Sequence, residues 1–110
     1  MAMLERTLIG DFDQVLQKLH TAILEGSMSA SFENGNEYMS GDTHCAVRVY
    51  ERYSYTGDNR VALCLMLTGQ GDQLRLTAIT AGGSQAMFFK INTWGEEAFL
   101  DTLAQAIDKL

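Results

Sequence analysis

Two hydrophobic rhythms divide this chain. Over Phe12–Glu25, apolar residues fall three and four apart, at Phe12, Val15, Leu16, Leu19, Ala22 and Ile23, which predicts a helix with one apolar stripe. Asp11 is suited to cap its start, with Gln14 three residues on as a variant of the capping box, and Gly26 follows at the C′ position. Residues 3–9 are short and β-compatible, and predict a first strand despite weak alternation. From Ser27 the period drops to two: Met28, Ala30 and Phe32 face one way, and Ser29, Ser31 and Glu33 the other. Asn34-Gly35 then offers the residue types of a tight hairpin turn. Further strands are expected over residues 43–55, 60–68 and 73–81, divided by Gly57-Asp58-Asn59 and by Gln70-Gly71. Connections this short join antiparallel neighbours.

A second helix is expected from near Trp94. Thr93 and Glu96 form a capping box, Glu96 and Glu97 complement the helix dipole, and Phe99, Leu103, Ala106, Ile107 and Leu110 make an apolar stripe. Each stripe must find an apolar surface, so both helices are expected on one face of the sheet. The fold class is α+β: a single two-layer domain over residues 1–110, with a four- or five-stranded antiparallel meander and two helices packed on one face.

Centring the turn on Gln70-Gly71 sets Leu67 opposite Leu74, Leu65 opposite Leu76 and Leu63 opposite Ala78, and these six define a core face. The preceding connection decides which residues of the strand over 43–55 join them. A three-residue loop at 57–59 brings in Tyr53, Val49 and Val47. A two-residue loop would bring in Arg48, Tyr50 and Arg52, at a desolvation cost for the arginines. The longer loop is expected, with a β-bulge between 50 and 53 relieving an inward Glu51. On that reading the opposite face carries Arg48, Tyr50, Arg52, Cys64, Met66 and Arg75. Arginine, tyrosine and methionine are enriched at interface centres, so this face is expected to mediate a homodimer.

Composition narrows the classes. A chain of 110 residues, 46% hydrophobic and 20% charged, has the make-up of one folded domain rather than a disordered segment. No apolar run approaches the ~20 residues of a membrane span, and MAMLERTLIG carries an acid and a base where a signal peptide needs an apolar core. The expectation is a soluble, unexported protein that engages no membrane. The net charge of −6 argues against nucleic acid as the main partner, because that binding relies on clustered Lys and Arg. Cys45 and Cys64 lack metal or redox spacing and read as structural thiols, consistent with a reducing cytoplasm. With no proline in the chain, the glycines punctuate it.

The candidate chemistry is sparse. Gly82-Gly83-Ser84-Gln85-Ala86 loosely resembles a nucleophile elbow, but both histidines, His20 and His44, precede Ser84, whereas that motif's histidine follows its serine. A phosphate-binding P-loop would need Gly-Lys-Ser/Thr there, and Lys90 comes too late. What survives is an anion nest of Gly82, Gly83, Ser84 and Gln85 with Lys90 nearby, which would take a small anionic metabolite. Cys64 and His44 lie too far apart in the expected register for a dyad. His20 sits at the edge of the first helix's stripe, with no partner at metal-site spacing. No metal, no cofactor and no coherent catalytic set are expected.

The strings HCAVRVYERYSYTGDNRVAL and ITAGGSQAMFFKINTWGEEAFLDTL resemble an uncharacterised bacterial family of small single-domain proteins, grouped as a domain of unknown function. The resemblance extends from Gly10 onward. It implies a bacterial, cytoplasmic protein and carries no activity or catalytic residues. The functional expectation is a non-enzymatic binding or interaction module that self-associates through its open sheet face; the alternative is a binder of, or enzyme acting on, a small anionic metabolite at the loop over 82–85.

Overall fold

A carboxylate starts the first helix. Asp11 has extended backbone (φ −85°, ψ 127°), and its side chain accepts the N–H of Gln14 at 3.0 Å, satisfying a donor the helix cannot pair internally. Helix α1 then runs Phe12–Glu25 and buries Phe12, Val15, Leu16, Leu19 and Ile23, five of the six residues in the predicted stripe, with Ala22 half-buried. The structure is a computed structural model that describes residues 1–54, 59–82 and 89–110.

Five antiparallel strands form one sheet: β1 (Ala2–Ile9), β2 (Ser31–Ser40), β3 (Thr43–Ser54), β4 (Asn59–Gln70) and β5 (Gln73–Gly82), in the order β1-β5-β4-β3-β2. The expected meander holds from β2 to β5. β1 instead pairs with β5 at the far edge, so the chain must cross the sheet through α1 to reach β2. Helix α2 (Phe89–Asp108) packs on β5, β1 and β4 and against α1, so both helices share one face.

The Asn34-Gly35 hairpin is not formed. β2 continues through it to Ser40, with a register shift between Phe32 and Asn34, and the turn falls at Gly41-Asp42, where Gly41 has φ +60°. Residues 36–40 keep pairing with 43–47, and this outweighs the local turn preference. Gly35 serves closeness instead: a Cβ there would lie 2.7 Å from the Val47 carbonyl oxygen. The next turn is Gly71-Asp72, with Gly71 at φ +63° and Gln70 opposite Gln73. The β4–β5 register is therefore two residues from the expected one, pairing Leu67 with Leu76 and Leu65 with Ala78. A slip of two preserves the face, and all six core-face residues are buried.

β3 departs by an odd number. Tyr50 is opposite Leu63, Arg48 opposite Leu65 and Ala46 opposite Leu67, the arrangement that the cost of burying arginine argued against. Two contacts lower that cost. The Arg52 guanidinium lies 4.6 Å from the centre of the Phe99 ring, and Arg48 reaches outward over Phe32, 6.0 Å from its ring centre. Tyr50 between them is fully buried.

The second helix starts at Phe89, so Thr93 lies inside it and the expected capping box is not its start. Glu96 is buried: its Oε1 accepts the Gly82 N–H at 3.3 Å, and its backbone carbonyl accepts the Thr80 hydroxyl at 3.1 Å. These bonds pin α2 to the end of β5. Phe99, Leu100, Leu103 and Ile107 complete the core, whereas Leu110 is exposed.

Gly26 ends α1 in a right-handed conformation (φ −72°), and its N–H bonds the Ala22 carbonyl. A Cβ there would stand 2.5 Å from Thr102 Cγ2 of α2 and 2.8 Å from the Ala22 oxygen. The missing side chain thus permits the helices to approach. Gly26→Ala is expected to destabilise the fold by about 1–3 kcal/mol, the usual cost of overpacking, seen as a lower urea midpoint with an unchanged slope.

Candidate functional site

Alternation along the strands sends a second set of residues away from the helices. Rows across this face read Tyr38, Cys45, Thr68, Arg75, Thr7; then Asn36, Val47, Met66, Thr77, Glu5; then Asn34, Val49, Cys64, Ile79, Met3. No described element covers them. Met66 remains 41% exposed and Met3 62%, and Cys64 is exposed although Cys45 is buried. Glu5 pairs with Arg75 at 3.4 Å at one margin, and Glu51 with Arg60 at 2.9 Å at another.

This open face holds only half of the residues expected on it. Cys64, Met66 and Arg75 are there, but Arg48, Tyr50 and Arg52 point to the helix side, because β3 is registered with the opposite parity. Val47 and Val49 take their places. The centre is consequently more apolar than expected, with its charges at the margins.

The displaced residues build a second feature. Where α1 faces β2 and β3, Gln17, His20, Phe32, Gly35, Asn36, Glu37 and Arg48 line a cavity of about 460 Å³. His20 Nδ1 lies 2.8 Å from the Tyr50 hydroxyl, and the Phe32 ring packs edge-on to both rings. Burial raises the Tyr50 phenol above its ordinary pKa, partly offset by a hydrogen bond and the positive charge of Arg48. His20 is pushed down, first by burial and then by the Arg48 charge. Glu37 closes the far side: its Oε2 is 2.7 Å from His44 Nε2, and its Oε1 is 4.0 Å from Arg48.

Sequence reasoning missed this group. The clue was His20 at the edge of the α1 stripe, but nothing in the linear order marks its neighbours Tyr50, Arg48 and Phe32. His44 stacks on Phe12 at 3.7 Å on the helix side. Cys64 is on the open side, so the sheet itself separates the two as a dyad.

At the glycine-rich loop, the Gly82 N–H is already given to the Glu96 carboxylate, whose other oxygen pairs with the Met1 ammonium. The anion held at this end is the chain's own, so the Gly82 N–H expected in an anion nest is given to Glu96. Gly83, Ser84, Gln85 and the Lys90 side chain lie outside the described residues.

The His20 environment, faced by Arg48 and Tyr50 and adjoining Glu37, has a consequence for pH. Its pKa in the folded state is below the ordinary 6.5, so protonation favours unfolding. The stabilisation from neutral His20 is complete above that value and is lost as pH falls through it toward the folded-state pKa. Urea midpoints are expected to drop between neutral pH and mildly acidic pH more for wild type than for His20→Asn. Equal drops would mean that His20 does not contribute.

No helix among the described residues is long and apolar enough to cross a membrane. No curated protein matches the chain. The model of a family of unknown function, DUF6054, matches residues 1–110 in full, and the chain belongs to that family.

Proposed function

We propose that this protein is a non-enzymatic interaction module that self-associates through the open face of its sheet. The supporting observation is the uncovered centre of that face, where Val47, Val49, Cys64, Met66 and Ile79 adjoin one another across three central strands. Five strands about 4.8 Å apart, and about 30 Å long, give a surface of roughly 24 by 30 Å. That is close to the ~800 Å² each partner buries in a standard interface. The face carries both signs of charge at its margins, so a second copy can meet acid with base; a strongly acidic or basic partner would find only half its charge answered.

The working setting is a bacterial cytoplasm, which suits two cysteines with free thiols, one of them exposed.

Met66→Glu places a charge at the centre of the face, where the native residue is already partly solvated. The variant is expected to keep the wild-type circular dichroism spectrum and to run as a monomer in light scattering, while wild type runs as a dimer. A wild type that stays monomeric at its highest soluble concentration ends this reading.

A further inference from the structure

The start of α1 and the β2–β3 hairpin bring three potential metal donors together. Asp13 is in the first turn of α1, Glu37 is in β2, and His44 is near the start of β3. Glu37 is opposite Ala46, and His44 is opposite Met39, two residues along, so both side chains are diagonal neighbours on the helix side. One oxygen from each carboxylate and one nitrogen of the imidazole all lie within 4.8 Å of one another.

We propose that Asp13, Glu37 and His44 form a binding site for a divalent transition-metal ion of the zinc class. One imidazole with two carboxylates is a donor set such ions accept, and three protein ligands leave a fourth position for water. Bonds of about 2.0–2.1 Å in a tetrahedral site separate donors by roughly 3.3 Å. The 2.7 Å contact between His44 Nε2 and Glu37 Oε2 therefore has to widen slightly while Asp13 closes in. Both carboxylates are exposed, so these are side-chain rotations.

The surroundings orient the donors. The His44 ring lies nearly parallel to Phe12, at 18° and 3.7 Å between centres, which fixes the imidazole plane. Arg48 approaches Glu37 through Oε1, leaving Oε2 turned toward His44. Such outer contacts decide which lone pairs a metal meets. Charge agrees with the assignment: the two carboxylates bring −2, of which Arg48 beside Glu37 offsets part, in a chain of net charge −6. A hard ion such as Mg²⁺ or Ca²⁺ takes oxygen ligands, and gains less from an imidazole. Sequence spacing hides the set, because the three residues lie on three elements and no two stand at a motif interval.

Bound metal would tie the edge hairpin to the start of α1, and stabilisation would follow because the site exists only in the folded chain. The test is titration of tag-free protein with Zn²⁺ by calorimetry, alongside thermal unfolding in Zn²⁺ and in Mg²⁺. The expected result is one Zn²⁺ per chain, a raised unfolding temperature with Zn²⁺ but not with Mg²⁺, and affinity at least about tenfold weaker in His44→Asn and in Glu37→Gln. Cys64→Ser should bind like wild type. Co²⁺ provides a second readout: visible d–d bands that Zn²⁺ displaces and that Asp13→Asn diminishes. Absence of Zn²⁺ binding, an equal response to Mg²⁺, or affinity lost in Cys64→Ser and retained in His44→Asn would overturn the assignment. Dimerisation is read separately by light scattering in chelator, so failure of one proposal leaves the other standing.

Discussion

The pairing of Tyr50 with Leu63 decides what each side of the sheet can do. β3 has to send alternate residues to opposite faces, so one inward residue determines the rest of the strand. With Tyr50 inward, Ala46 joins the leucine core, and Arg48 and Arg52 flank it on the helix side. Val47 and Val49 are then outward, beside Met66 and Cys64. The opposite parity would bury the valines and put Arg48, Tyr50 and Arg52 on the open face, making its centre more polar. The core gains a large aromatic in exchange, and its hydroxyl finds His20 rather than remaining unpaired at a cost of about 1–3 kcal/mol.

That exchange accounts for the polar cluster beside α1. Tyr50 needs a partner, and α1 supplies His20 from the margin of its buried stripe. Arg48 needs its guanidinium out of the core, and Phe32 and Glu37 on β2 give it an aromatic surface and a carboxylate. Arg52 solves the same problem on the other side through Phe99 of α2, with burial lowering its pKa. Tyr50 and Arg52 thus tie α1 and α2 to the sheet, while Arg48 reinforces the contact of β3 with its neighbour β2. Local charge balance and packing are coupled here, so removing one member would be felt by the others.

Local signals in the sequence proved reliable where the local chain decides the outcome. Asp11 with Gln14, the five-residue stripe of α1, and the alternating leucines of β4 and β5 are each settled within a few residues. Asn34-Gly35 failed because strand pairing from 36 to 40 outweighs a turn preference, and Thr93 with Glu96 failed because Glu96 is used across the fold, on Gly82. The parity of β3 was illegible for a related reason. The penalty for inward arginines is real, but its size depends on whether Phe99 and Phe32, 47 and 16 residues away from Arg52 and Arg48, stand beside them. Half of the open face was therefore legible, through Cys64, Met66 and Arg75 on β4 and β5, and the half on β3 was not.

The sheet's edges bear on how copies of this chain can meet. β1 carries Glu5 and Arg6 along one edge, and β2 carries Glu33, Asn34 and Glu37 along the other, with its register broken near Glu33. Charged side chains and a bulge are the features by which natural sheets resist edge-to-edge pairing. Extension of the sheet by a strand from another copy is disfavoured on both sides. The proposed face-on-face packing would meet no such obstacle, because the centre of the open face is apolar and its charges lie at the margins. Association by the face, as proposed, would leave the helix side uncovered, and with it the carboxylates of Asp13 and Glu37 beside His44.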